Sequence, residues 1–207
     1  MTDLADRIPA LYERHARAWD TDRRAAAWVD KPWHDRFAAA LPKGATVLDL
    51  GCGSGFPVAR HLVEQGFSVT GVDSSPTLIA LCRQHMPGQE WHVADMRTAR
   101  LPRRYDGILA WDSFFHLTPD DQRRMFGVFA RHAAPSAVLM FNTGPAHGEA
   151  IGTYHDEPLY HASLDGAEYR TLLRDIGCHV VAHAREDWRT GGGRTVWLTR
   201  ALERRPP

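Results

Sequence analysis

The chain has 207 residues, 43% of them hydrophobic and 24% charged, the proportions of one soluble globular domain with a sizeable core. Lys+Arg and Asp+Glu both number 25, so no overall basic field exists to hold a nucleic acid or an anionic membrane. Three scattered cysteines (Cys52, Cys82, Cys178), no apolar leader and no apolar run near about 18 residues predict a cytoplasmic chain without a membrane span.

Residues 3–40 are predicted as a helical arm, two helices jointed near Asp20-Thr21-Asp22. Leu4, Ile8, Leu11 and His15 recur at helical spacing, and Pro32 should disturb the second helix. Trp19, Trp28 and Trp33 with Tyr12 make the arm aromatic. These rings either dock it on the main domain or cover a site. Leu41-Pro42-Lys43-Gly44 is a turn, and from there to residue 201 apolar strands alternate with helices. Strands are predicted at Val47–Leu50, Phe67–Asp73, Glu90–Val93, Tyr105–Trp111 and Ala137–Phe141. The intervening helices start after Gly55, at Pro76 and at Pro119. A long Gly-rich polar loop follows over 142–161, then a helix from Ser163-Leu164-Asp165 to Gly177, then an antiparallel pair around Gly191-Gly192-Gly193. Residues 202–207 form a tail. The division is therefore 1–40, 41–201 and 202–207.

The chemistry concentrates at the ends of the first four strands. Asp49-Leu50-Gly51-Cys52-Gly53-Ser54-Gly55 is a strand that breaks into a turn and opens a helix. Its glycines allow close approach to bare backbone, and the helix aims free N–H groups at whatever lies there. A carboxylate at the strand end repels a diphosphate and attracts an ammonium or sulfonium cation. The G-x-G-x-G spacing and Asp49 thus disfavour a nicotinamide oxidoreductase. Asp73 lies 20 residues after Gly53 at the end of the next strand, where it either accepts ribose hydroxyls or caps the following helix with Ser74 and Ser75. Asp95 and Met96 follow the third strand. Trp111, Asp112 and His116 follow the fourth.

The ordered set of Asp49-x-Gly-x-Gly-x-Gly, Asp73 and Asp95 resembles the class I S-adenosylmethionine-dependent methyltransferases, over about residues 45–200. The resemblance implies a Rossmann-like seven-stranded sheet of order 3-2-1-4-5-7-6, strand 7 antiparallel, with helices on both faces and the arm as a lid. It implies that Asp49 lies near the methionine part of the cofactor with Gly51, Cys52, Gly53 and Gly55 making room. Asp73 and Ser74 fall to the ribose, Asp95 and Met96 to the adenine, and Tyr12, Trp19 and Trp111 join the cofactor site. The expected product is S-adenosylhomocysteine.

No metal is needed for methyl displacement, and His179 and His183, four apart on a strand, stand roughly 13 Å apart, too far to share an ion. His116 is the candidate base, paired with Asp112 so that the carboxylate raises its pKa; capping or packing against Phe114 and Phe115 is the competing role. His147, Tyr154, Tyr160, His161 and Trp28 are candidates for binding the acceptor, expected to be a small molecule. The 112–117 segment lacks the Pro-Pro-Tyr of adenine- and glutamine-amide N-methylation. Alternatives are a protein side chain as acceptor, or a binder without turnover.

Overall fold

The computed structural model describes residues 2–201. Three helices open the chain, α1 (Thr2–Arg14), α2 (Ala16–Ala25) and α3 (Lys31–Ala39). The joints fall at His15 and at residues 26–30, so the break expected at Asp20–Asp22 is instead the middle of α2. Both aspartates have partners: Asp20 accepts from Arg24 four residues on along α2 at 2.9 Å, and Asp22 accepts the hydroxyl of the distant Tyr154. Pro32 does not disturb a helix; it stands in the first turn of α3, where a missing N–H costs nothing.

The main sheet contains β1 (Thr46–Leu50), β2 (Ser68–Asp73), β3 (Glu90–Val93), β4 (Tyr105–Ala110), β5 (Ala133–Thr143), β8 (Cys178–Asp187) and β9 (Arg194–Ala201). Their order is β3-β2-β1-β4-β5-β9-β8. β1 to β5 run parallel, and β9 is antiparallel to both its neighbours. This is the seven-stranded Rossmann-like arrangement with its reversed last strand. Strand alternation divides the core between the two faces. Val47, Val69, Leu109 and Met140 meet Trp33 and Phe37 of α3 and Ala59 and Leu62 of α4 (Val58–Glu64). On the other face Leu48, Leu50, Ile108 and Phe141 meet Phe126 and Phe129 of α6 (Pro119–His132) and Leu173 of α7 (Gly166–Asp175). The remaining helix, α5 (Pro76–His85), is capped by Ser75, whose hydroxyl accepts from Leu78 N–H at 3.1 Å.

The expected loop over 142–161 is largely a β-hairpin, β6 (Gly148–Tyr154) with β7 (Glu157–Ser163). Its two-residue turn is His155-Asp156, with φ +46° and +62°, the positive angles of a turn that matches strand twist. The glycines and mixed polarity hid the alternation, because α1 rather than the sheet supplies the apolar cover: Tyr160 and Ala162 pack with Ile8. Among the described residues no helix is long and apolar enough to cross a membrane. The tail expected at 202–207 lies outside the described residues.

Candidate functional site

A cleft of about 780 Å³, its mouth included, opens where β1, β2 and β4 end. Its floor is the turn after β1, where Gly51 (φ +77°) and Gly53 (φ +57°) hold backbone angles that favour glycine. Neighbours also forbid side chains there. A Cβ on Gly51 would lie 2.3 Å from Ser113 Cβ, and one on Gly53 would lie 2.5 Å from Trp19 Cη2.

Asp73 ties this turn to the next. Its carboxylate accepts Gly53 N–H and Ser75 N–H, both at 2.9 Å, from the cleft wall. Burial nevertheless raises its pKa, outweighing the two N–H bonds. Ser74 lines the same wall. Asp95 and Met96 line the far end, where Asp95 is held by the Arg97 guanidinium, with Nε 2.9 Å from Oδ2. Arg97 reaches on to Asp121 at 3.0 Å.

Asp49 lies under the cleft rather than along it. It points to the same sheet face as Val47, is only 3% exposed, and makes no ion pair among the described residues. Burial, and then the nearby Asp73 charge, push its pKa up to about 7. Cys52 and Gly55 also stay out of the cleft lining. The Cys52 side chain belongs to the core cluster, and Gly55 is bare because Met86 of the segment after α5 packs there, its Cε 2.5 Å from a would-be Cβ.

The arm supplies the roof: Ala5, Ile8, Pro9, Tyr12 and Trp19 face the cleft. Glu13 holds it down by accepting Thr77 N–H (3.1 Å), Thr77 Oγ1–H (2.7 Å) and the Ser75 hydroxyl at the start of α5. A carboxylate there also complements the helix dipole. At the hairpin, Glu157 pairs with Arg14 and with His15 Nε2 at 2.6 Å. Sequence periodicity cannot show such links, because they join residues more than sixty positions apart.

His116 reaches the cleft from the turn after β4. Nδ1 lies 2.8 Å from the Tyr160 carbonyl oxygen, which only accepts, so Nδ1 carries the proton. Nε2 is then the acceptor for the Tyr12 hydroxyl at 2.9 Å. Burial lowers the His116 pKa to about 4. The expected pairing with Asp112 does not form, and the shift runs opposite to the one expected. Asp112 is instead forked by Arg194 and bonded to Asn142, and its charge is only a minor influence on His116.

Among the other expected contacts, Trp28 packs with His34 and His61 behind the turn, and Trp111 donates to Asp30 at 2.6 Å in the core; neither lines the cleft. His147 is exposed and off the cleft. Tyr160 packs its buried ring on α1 and contributes to the site through its carbonyl. Tyr154 stacks on Tyr12 at 6.3 Å, and the His161 ring lies 4.9 Å from that of His116, so both stand just behind the lining. Sequence reading missed Glu13, Asn142 and Arg194, and only Arg194 carried a signal, the glycine run before it.

A methyltransferase-domain family model matches residues 15–187, from α2 to the end of β8. Among curated relatives, a dTDP-4-amino-2,3,4,6-tetradeoxy-D-glucose N,N-dimethyltransferase of Saccharopolyspora spinosa is 26% identical, over 83% of this chain and 71% of that one. A ubiquinone biosynthesis O-methyltransferase of Coxiella burnetii is 32% identical over 73% of this chain, which spans 64% of its length. Among solved structures, the 1,6-didemethyltoxoflavin-N1-methyltransferase of Burkholderia thailandensis, with S-adenosylhomocysteine bound, superposes with a TM-score of 0.71. The match covers 94% of this chain and 85% of that one at 21% identity. With a family match over most of the chain, the ordered carboxylates and the reversed last strand, the chain belongs to the methyltransferase-domain family of the class I S-adenosylmethionine-dependent methyltransferases.

Proposed function

We propose that the cleft binds S-adenosylmethionine and that the enzyme methylates a nucleophilic nitrogen or oxygen of a small molecule. The observation that carries the small-molecule reading is the roof. With α1 latched to the start of α5 by Glu13 and to the hairpin by Glu157 through Arg14 and His15, the arm lies over the cleft, a setting that suits a small acceptor better than a protein segment. The Saccharopolyspora and Coxiella relatives, named for an amino-sugar nucleotide and for ubiquinone biosynthesis, agree with that size class.

The residues present suit the cofactor. Gly51 and Gly53 offer bare backbone, Asp73 keeps acceptor capacity for ribose hydroxyls, and Met96 with Asp95 suits a purine. Asp49 beneath the turn favours a cationic group above it. The cofactor, once bound, supplies an electrophilic methyl on a sulfonium. The protein then has to orient the acceptor and exclude water. His116 is the group suited to take a proton. Its Nδ1–H is anchored on a carbonyl, and its Nε2 lone pair faces the cleft through the Tyr12 hydroxyl.

Calorimetric titration with S-adenosylhomocysteine tests the binding half: saturable uptake at one site is expected, and heat indistinguishable from buffer defeats the reading. Amino-sugar nucleotides and ubiquinone precursors are the acceptors to try first. With an acceptor in hand, His116→Gln should lower kcat by about 10²-fold, in line with loss of a general base. Because burial holds His116 neutral down to about pH 4, the acid limb of wild-type kcat/KM is expected near that value and not near the ordinary imidazole pKa. An acid limb unchanged in His116→Gln would remove the proton-taking role.

A further inference from the structure

The wall of the cleft at the end of β4 holds a residue under backbone strain. Asp112 has φ +49°, a left-handed angle that a non-glycine residue keeps only where its surroundings dictate it. Two neighbours do so. Buried Asn142 at the end of β5 accepts Asp112 N–H through Oδ1 and donates Nδ2–H to Asp112 Oδ1, both at 2.8 Å. Arg194, the first residue of β9, lays its guanidinium across the carboxylate as a fork, Nε to Oδ1 and Nη2 to Oδ2 at 2.7 Å each. Parallel bonds of this kind fix direction as well as charge.

The middle glycine of the run before Arg194 meets the guanidinium here. A Cβ on Gly192 would lie 2.8 Å from Arg194 Nη1, and the Gly191 carbonyl accepts from the same nitrogen at 3.1 Å. The turn between β8 and β9 is thus bare where the guanidinium rests. The same group lies 3.7 Å from the buried carboxylate of Asp30, just ahead of α3, and over the Trp111 ring. With its oxygens taken by Arg194 and Asn142, Asp112 keeps only a long 3.5 Å contact to Arg23 of α2. Arg23 is then left over the ring of Trp19, the residue that roofs Gly53.

We propose that Arg194 is a positioning residue of the cofactor cleft: by holding Asp112 in its fork it keeps that carboxylate from capturing Arg23, and so keeps Trp19 seated on the glycine turn. The inference rests on the reading of the cleft as the S-adenosylmethionine site. Without Arg194, Arg23 is the cation left facing Asp112, while Asp30 keeps its bond from Trp111, and the freed carboxylate draws the Arg23 guanidinium off the indole.

The test is titration of S-adenosylhomocysteine into wild type, Arg194→Met, Arg194→Lys and the double variant Arg194→Met/Asp112→Asn, with a melting temperature for each. Arg194→Met should bind about tenfold more weakly, because Asp112 then captures Arg23 and Trp19 loses its seat on the glycine turn. Removing the stranded charge in the double variant should restore affinity to within about threefold of wild type. Arg194→Lys, which keeps the charge but not the fork, should fall between. If Arg194→Met does not fold, the same comparison is made between Arg194→Lys and Arg194→Lys/Asp112→Asn. Lowered melting temperature with wild-type affinity would reduce Arg194 to a stabilising residue and overturn the inference. So would a double variant that binds no better than the single. A wild-type chain that takes up no S-adenosylhomocysteine overturns the reading of the cleft itself. The melting temperatures then judge the Arg194–Asp112 link alone, which fails if Asp112→Asn recovers nothing.

Discussion

Asp73→Ala is expected to weaken S-adenosylhomocysteine binding by at least about 100-fold, the scale of losing roughly 3 kcal/mol of hydrogen bonds to a charged acceptor. Two losses add. On the proposed reading the carboxylate no longer presents oxygens to a ribose, and in the structure the Gly53 and Ser75 N–H groups lose their acceptor. The second loss loosens the glycine turn before any ligand arrives. Asp73→Asn separates the two. Its single amide oxygen can still take one N–H, while its NH₂ faces the other donor. It should therefore sit between wild type and alanine in affinity, while its melting temperature stays nearer wild type. The measurement is calorimetry with a thermal melt on the same samples. Alanine binding within threefold of wild type would remove Asp73 from the cofactor site.

Asp49→Asn should raise the stability of the ligand-free protein above neutral pH and at the same time weaken cofactor binding. Burial and the Asp73 charge push the Asp49 pKa up to about 7 from an ordinary 3.8. Between those values the folded chain keeps a proton that the unfolded chain has released. The unfolded state thus binds fewer protons there, and stability falls as pH rises from about 4 to about 7. At about 1.4 kcal/mol per pKa unit, the upper bound of that loss is roughly 4 kcal/mol. Asparagine has the same shape without the charge, so the variant should lack this part of the slope. Urea unfolding at about pH 5 and about pH 8 should give a smaller difference for Asp49→Asn than for wild type; parallel curves would show that the charge is compensated. The cofactor's cation should supply that compensation in wild type, so binding of S-adenosylmethionine should carry proton release near neutral pH that the variant lacks. A carboxylate kept unpaired under a binding site is a stability cost that ligand binding offsets.

Much of this edge is legible in the sequence. Apolar runs ending on Asp49, Asp73 and Asp95, at intervals set by one helix each, place three carboxylates along one edge of a parallel sheet. A parallel strand needs a crossover, and crossovers of one hand bring successive strand ends to the same side. Local signals were equally reliable where the cause was local, as at Ser75-Pro76 and Thr118-Pro119, where a cap and a proline start α5 and α6. The arm was legible as helical but not in its joints, since Asp20 and Asp22 read as a break until their partners, Arg24 and Tyr154, are known.

What the chain order determined alone is one edge of the sheet: a strand-turn-helix cradle with a carboxylate beneath it and two more on the neighbouring strand ends. Tertiary structure decided everything that depends on side chains from distant segments. His116 and Asp112 are four residues apart and were expected to pair; Tyr12, from α1, and Arg194, from β9, took them separately, because each offered a better-matched partner in a largely buried setting. The buried His116 imidazole stays neutral and takes a hydroxyl, whereas the Asp112 carboxylate stays charged because the Arg194 guanidinium pairs with it. Most of the expected loop over 142–161 is instead part of the β6–β7 hairpin, whose Tyr160 and Ala162 are covered by Ile8 of α1. Sequence spacing encodes which strand ends share an edge. It does not encode which side chain, a hundred residues away, satisfies a buried polar group there.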